Sequence, residues 1–228
     1  MEYVLPPRVW VVVAAYNEAS AIGRVVSDVA RCGYRIVVVD DGSSDQTARA
    51  ASAADSIIHH PINLGQGAAL QTGIEFALGQ GAEVVVTFDA DGQHGAADIE
   101  SLIRALGDAQ ADFALGSRFL GRSIDSPRSR RLLLKVATLF TRLTTGLRLS
   151  DTHNGLRAMT RRGATVIQLR QNRMAHASEI LGQIAASGLR YVEVPVSIEY
   201  SAYSLAKGQR PGEFLAILLD LFAQKLYR

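Results

Sequence analysis

Two aspartates one residue apart, Asp89 and Asp91, follow the apolar run Val84-Val85-Val86-Thr87-Phe88 and precede Gly92. The run is rich in β-branched residues and reads as a buried strand. The Asp-Gly step after it marks a turn. The carboxylates therefore stand at the carboxyl end of a strand, where open α/β sheets place their ligands. On a strand, positions 89 and 91 share a face. Two carboxylates on one face repel unless a cation lies between them, and a hard divalent ion such as Mg2+ or Mn2+ suits the pair. Such an ion takes one or two carboxylates and completes its shell with water and substrate phosphate oxygens.

Two further strand ends carry polar groups. Tyr16-Asn17-Glu18 follows Val9–Ala15, and Asp40-Asp41-Gly42-Ser43 follows Ile36–Val39. In a parallel sheet all three ends converge on one edge. Tyr16 can stack on a base, and Asp40 or Asp41 can accept from a base N–H or a ribose hydroxyl. Plain turn chemistry is the alternative for Asp41-Gly42-Ser43. Gly65-Gln66-Gly67 is similar to a dinucleotide fingerprint but fails it: Leu70 stands at the third glycine position, and the run does not follow the first strand. The glycine pair instead lets the backbone approach a ligand or a neighbouring loop closely. His94 and His153 read as polar loop residues, and the adjacent pair His59-His60 lacks metal-ligand spacing and reads as structural.

The elements that must position these groups alternate. Strands are predicted over Val9–Ala15, Ile36–Val39, Ser56–His59, Glu83–Phe88 and Phe113–Gly116, with helices over Ala19–Ala30, Ala68–Leu78 and Ala97–Leu106. Ser44 or Asp45 is placed to cap a helix after the second strand. That rhythm implies a mostly parallel sheet with helices on both faces. After Gly116 it changes. Pro127–Arg148 is one long helical pattern with Leu132, Val136, Leu139, Phe140, Leu143 and Leu147 at helical spacing, six basic residues and no acid. Asp151–Met159 reads as a loop leading into a strand, Ser178–Ser187 as a helix, Tyr191–Ile198 as a strand, and Gly212–Tyr227 as a final amphipathic helix.

Composition bounds the rest. The chain has 228 residues, 48% apolar and 20% charged, which suits one domain with a sizeable core. No linker or repeat divides it, so residues 1–228 are expected to form one domain with halves at 1–120 and 121–228. A net charge of +2 is too small to argue for nucleic acid. Cys32 is the single cysteine, which points to a reducing compartment. The N-terminal apolar run is too short and too weakly basic for a signal peptide. No uninterrupted apolar segment reaches the ~18 residues that a membrane span requires. A cytoplasmic chain, soluble or peripheral on the inner membrane face, is expected.

Tyr16-Asn17-Glu18, Val39-Asp40-Asp41-Gly42-Ser43-Ser44-Asp45, Asn63-Leu64-Gly65-Gln66-Gly67-Ala68, Asp89-Ala90-Asp91-Gly92-Gln93 and Gly116-Ser117-Arg118 together resemble the motifs of the family 2 glycosyltransferases. The most similar branch is that of the dolichyl- and polyprenyl-phosphate mannosyl- and glucosyltransferases. The resemblance runs from Val9 to about Lys207. It implies an α/β GT-A fold, a Rossmann-like sheet, a UDP- or GDP-sugar donor, a divalent cation and inversion at the anomeric carbon. It also implies that Asp89, Asp91 and Gln93 hold the metal. Tyr16, Glu18, Asp40 and Asp41 then line the nucleotide pocket, with Asn17, Gly67 and Asp89 beside it.

For the acceptor, the resemblance implies a lipid phosphate bound by Arg118, Arg131 and a basic segment at Lys207. Arginine and lysine are natural phosphate partners. Asp151-Thr152-His153-Asn154-Gly155-Leu156-Arg157 also matches a family element, and Asp151 or Glu179 is the candidate general base. A phosphate monoester, with a second pKa near 6, needs no base at neutral pH; a sugar hydroxyl does. Tyr203–Lys207-Gly208 lacks an arginine that the branch carries, and the chain stops at Arg228 without the membrane helices of many members. A lipid acceptor then requires membrane contact through the basic helix or the apolar side of Gly212–Tyr227. Core packing or a homodimer interface is the alternative for both stripes. The rival functions are the same donor chemistry with a saccharide hydroxyl as acceptor, and a non-catalytic nucleotide-sugar-binding module. A nucleotidyltransferase is disfavoured because no glycine-rich, basic triphosphate loop follows the first strand.

Overall fold

The computed structural model describes residues 8–121, 138–139, 141–152, 154–171 and 175–199. Seven strands form one sheet: β1 Val9–Ala15, β2 Arg35–Asp40, β3 Ser56–His59, β4 Val84–Asp89, β5 Phe113–Ser117, β6 Arg157–Thr160 and β7 Tyr191–Pro195. Their spatial order is β3-β2-β1-β4-β6-β5-β7. The helices are α1 Ile22–Arg31, α2 Thr47–Ala50, α3 Gln66–Gly79, α4 Ala97–Asp108, α5 Arg161–Val166 and α6 Ala175–Ser187.

Strand side chains alternate between two faces, and both faces are covered. Val9, Val11, Val13 and Ala15 of β1 join a core with Ile22, Val25, Val26 and Val29 of α1 and Ile99, Leu102 and Leu106 of α4. Trp10 and Val12 face the opposite core with Leu70 and Ile74 of α3 and Ile180, Leu181 and Ile184 of α6. Double-sided burial explains why β1, β2 and β4 read as unbroken apolar runs rather than alternating ones. Each fully buried valine, leucine or isoleucine stabilises such a core by about 1.5–3 kcal/mol relative to exposure. The apolar spacing of α1 is i, i+3, i+4, i+7, the stripe that points a surface helix at a sheet.

The predicted mostly parallel sheet with helices on both faces is present, with one departure that matters for the site. β6 runs antiparallel between β4 and β5, pairing Thr87 with Arg157 and Leu115 with Arg157. A strand antiparallel to β4 begins where β4 ends. Its lead-in, residues 154–156, is therefore delivered against the Asp89 end of the sheet. The alternation of strands and helices earlier in the chain gives no sign of this reversal.

Several boundaries also shift. α1 starts at Ile22 and not Ala19, because the amides of Ala21 and Ile22 donate to the Glu18 carbonyl in the turn before it. The residue that precedes the helix after β2 is Gln46, which makes no side-chain cap bond, so neither Ser44 nor Asp45 is the cap; Asp45 Oδ1 instead accepts from the Thr47 amide at 2.9 Å and braces the turn. The helix α2 is only one turn long. The short helix α5 has no counterpart in the expectations; Thr160 caps it by accepting from the Gly163 amide at 3.1 Å. Of the long helix expected over Pro127–Arg148, residues 138–139 and 141–145 are helical, with Leu139 and Leu143 exposed and Thr138 and Thr141 buried. Of the apolar stripe, these two leucines face outward and Leu147 is buried. The rest of that helix, and all of Gly212–Tyr227, lie outside the described residues. Among the described residues no helix is long and apolar enough to cross a membrane.

Candidate active site

The carboxyl ends of β1, β2 and β4 open into a cleft of about 420 Å³. Tyr16, Glu18, Asp41, Asp89 and Asp91 line it, so one residue or more from each strand-end motif reaches the same space. The loops that carry them are zipped together. Asn17, held at φ 53°, accepts through Oδ1 from the Ser44 amide at 2.9 Å, and its own amide donates to Ser43 Oγ at 2.9 Å. The Glu18 amide donates to Thr47 Oγ1 at 2.8 Å. The first two strand-end turns thus form one unit with Asn17 as its rivet.

Asp41 has a structural duty at the cleft wall. It is buried, and its carboxylate accepts from the amides of Leu64 (3.0 Å) and Gly65 (2.7 Å). His60 Nδ1 lies 2.7 Å from Asp41 Oδ1, and its Nε2 lies 3.0 Å from Thr72 Oγ1 on α3. The 62–65 loop and α3 are therefore fixed to the end of β2, and His60 is structural, in line with its sequence reading. Gly42, at φ 69°, cannot be replaced without collision: a Cβ would stand 2.6 Å from the Ile62 carbonyl carbon. Asp40 turns to its own loop, accepting from the Ser43 amide at 3.1 Å, and does not line the cleft.

The acidic pair at β4 is electrically divided. Burial, followed by the neighbouring Asp89 charge, pushes the Asp91 carboxyl up to about 6. Burial also acts to raise Asp89, but the hydrogen bond and charge of His94 and the charges of Arg157 and His176 outweigh it and hold Asp89 below its ordinary value. His94 Nε2 lies 3.4 Å from Asp89 Oδ2, and Gln66 Nε2 donates to Asp89 Oδ1 at 3.4 Å. His94 is buried, with Nδ1 lacking any partner among the described residues. It is a neighbour of the acidic pair rather than a loose loop residue. Asp91 Oδ1 accepts from the Gln93 amide at 3.0 Å, while the Gln93 carbonyl accepts from Glu199.

A raised carboxyl beside an ionised one describes a site that gains from a cation. The oxygen donors of Asp89 and Asp91 fit a hard divalent ion. Among the described residues no group of three acidic, histidine or cysteine side chains surrounds a common point. Two carboxylates are what such an ion takes when substrate phosphates and water supply the remaining oxygens.

The wall facing the acidic pair comes from the lead-in to β6, and here sequence reasoning missed residues. Asn154, Gly155, Arg157 and His176 all line the cleft. Gly155 lies so close to Asp89 that a Cβ there would overlap the carboxylate, and its carbonyl accepts from Thr87 Oγ1 at 2.7 Å. The motif from Asp151 to Arg157 was visible as a unit, but which of its members reach the cleft depends on the antiparallel pairing of β6. Gly67 does not line the cleft; it lets α3 approach the chain at Gln171, where a Cβ would collide with the carbonyl.

The remaining candidates lie apart from this lining. Arg118 is buried, and its Nε and amide donate to Asp151 Oδ2 at 2.6 and 3.1 Å. The Asp151 amide in turn donates to Glu193 at 3.2 Å. Glu179 on α6 accepts from the amides of Arg170 and Gln171, tying down the loop before its own helix. Arg131, His153 and Lys207 lie outside the described residues.

Comparison with known proteins adds four findings. The model of the family described as glycosyl transferase family 2 matches residues 10–167. A UDP-N-acetylglucosamine--dolichyl-phosphate N-acetylglucosaminyltransferase from Methanococcus voltae is 32% identical over 88% of this chain and 89% of its own. A polyprenol monophosphomannose synthase from Mycolicibacterium smegmatis is 30% identical over 88% of this chain and 80% of its own. Among solved structures, glucosyl-3-phosphoglycerate synthase from Mycobacterium tuberculosis, in complex with Mn2+ and UDP-glucose, superposes with a TM-score of 0.70 at 17% identity. It covers 97% of this chain and 78% of that one. The shared architecture is the GT-A fold.

Proposed function

Because the chain belongs to glycosyl transferase family 2, and is a glycosyltransferase, we propose that it transfers a sugar from a UDP- or GDP-sugar to a polyprenyl phosphate, with a divalent cation and inversion at the anomeric carbon. The observation that carries this reading is the convergence of Tyr16, Glu18, Asp41, Asp89 and Asp91 on one cleft. In this reading Tyr16 and Asp41 take the nucleoside, and Asp89 and Asp91 hold Mg2+ or Mn2+, with Gln93 beside them. A bound ion would supply electrostatic stabilisation to the charge that develops on the leaving nucleoside diphosphate. The chain's own part is to orient donor and acceptor in line and to exclude water from the reacting centre.

Two observations favour a phosphate acceptor over a saccharide hydroxyl. Both candidate bases are already engaged, Asp151 with Arg118 and Glu179 with the Arg170 and Gln171 amides. An acceptor that arrives ionised makes no demand on them. The relatives named above carry dolichyl phosphate and polyprenol monophosphomannose in their names, which supports a lipid-phosphate acceptor here. Leu139 and Leu143, exposed one turn apart on either side of Arg142, offer an apolar and basic contact for a peripheral membrane enzyme at the cytoplasmic face.

The test is a transfer assay with purified protein, Mn2+, short-chain prenyl phosphate and a panel of UDP- and GDP-sugars. Glycosyl prenyl phosphate of inverted anomeric configuration, assigned by NMR, is the expected product. Transfer to oligosaccharides with none to prenyl phosphate would overturn the acceptor assignment, and donor binding without any turnover would favour a binding module.

A further inference from the structure

Arg157 is 4% exposed, yet it lines the cleft beside the acidic pair. Burial, working against the charges of Asp89 and Asp151, holds its guanidinium below the ordinary arginine value. Neither carboxylate pairs with it. Asp151 is bound to Arg118 at 2.6 Å, and Asp89 is shared between His94 and Gln66. No hydrogen bond or ion pair joins the Arg157 side chain to another described residue. A buried cation without a contact partner is costly to a fold. A residue kept in that condition on a cleft wall has its partner supplied from outside.

The neighbouring amide narrows the chemistry. Asn154 Oδ1 accepts from the Leu156 amide at 2.9 Å, which fixes the orientation of the group. Its buried Nδ2 has no partner among the described residues. Arg157 and Asn154 therefore present donors only. A hydroxyl both gives and takes hydrogen bonds, whereas a phosphoryl oxygen only accepts and carries the charge that the guanidinium lacks.

We propose that Arg157, assisted by the Asn154 amide, is a phosphate-binding residue of this cleft, contacting either the donor's diphosphate or the acceptor's monophosphate. The proposal rests on the nucleotide-sugar reading of the cleft and adds to it a residue on β6. Its position across from Asp89 gives the site a fixed protein cation opposite the carboxylate pair. The guanidinium fork can hold two phosphoryl oxygens at once, which a lysine ammonium cannot reproduce.

The experiment compares wild type, Arg157→Gln and Arg157→Lys by calorimetry. The ligands are UDP and GDP with and without Mn2+, uridine and guanosine, and a short-chain prenyl phosphate. Arg157→Gln is expected to bind the nucleoside diphosphate, or the prenyl phosphate, at least tenfold more weakly, with nucleoside affinity unchanged and Arg157→Lys intermediate. The ligand affected identifies which phosphate Arg157 holds. Unchanged affinity for both phosphate ligands, or an equal loss for the bare nucleosides, overturns the proposal. If Arg157→Gln does not fold, Arg157→Lys decides on the same two criteria. A wild type that binds no nucleoside diphosphate sinks the functional reading itself; a wild type that binds it as well as Arg157→Gln does sinks this inference alone.

Discussion

The two sides of the sheet's carboxyl edge use the same residue types to opposite ends. On the β1, β2 and β4 side, the charged groups face a cleft and are not balanced among themselves. Asp89 keeps 30% of its side-chain surface exposed, and Asp91 is pushed up to about 6 by burial and by the Asp89 charge beside it. On the β5 and β7 side, the charges are closed on one another. Arg118 and Asp151 are 8% and 1% exposed, and Glu193 accepts from the amides of Ser150 and Asp151. The first arrangement leaves an electrostatic demand that a ligand can meet. The second satisfies its demand internally and behaves as structure. A charged motif in a sequence does not say which of the two it will become; the partners that the fold supplies decide.

The contrast can be broken from either side. The largest effect is expected on the open side: Asp91→Ala should lower kcat/KM about 10³-fold in the prenyl phosphate assay, the scale of losing a principal electrostatic contact to the leaving group. On the closed side, Arg118→Met should act first on stability, by about 3 kcal/mol in denaturant unfolding, because it removes the guanidinium that offsets the buried Asp151 charge. The double variant Arg118→Met/Asp151→Leu should recover much of that loss. Full stability of Arg118→Met together with loss of prenyl phosphate binding would show the pair to be a ligand site after all.

A third variant probes the seam between the sides. Gly155→Ala puts a methyl group into the Asp89 carboxylate, and overpacking of this kind costs about 1–3 kcal/mol. Thermal unfolding should fall accordingly, and Mn2+-dependent stabilisation should weaken with it. The smallest effect concerns pH. The folded Asp91 pKa, about 6, lies above its ordinary 3.8, so the folded protein holds this proton more tightly than the unfolded chain. Its contribution to stability is present below about pH 4 and is lost as pH rises through 6. Without metal, Asp91→Asn should therefore be more stable than wild type at pH 7.5, on the order of 1–2 kcal/mol or about 2–8 °C, with the gap closing at pH 4. Scanning calorimetry at the two pH values checks the sign.

The open side was legible in the sequence because its information is local. A β-branched run fixes a strand, the Asp-x-Asp-Gly or Asp-Asp-Gly step that follows fixes the turn, and parallel pairing brings such ends together without further instruction. Tyr16, Glu18, Asp41, Asp89 and Asp91 reached one cleft for that reason. Asp40 did not, because the residue before the turn bonds to the turn itself. The far wall was not legible, because it depends on β6 inserting antiparallel between β4 and β5, a pairing between segments about 70 residues apart. Asn154, Gly155 and Arg157 carry no local signal of burial beside Asp89, and His94 looked like a loop residue until the fold buried it. Arg118 and Asp151 were each legible as charged, but their mutual pairing was not.

The most direct measurement is the affinity of UDP and GDP for the wild-type protein and for Asp91→Asn, titrated calorimetrically with and without Mn2+. The account predicts tight binding of one nucleotide that requires Mn2+ and is lost in the variant. Binding that is indifferent both to Mn2+ and to the loss of the Asp91 charge would contradict it.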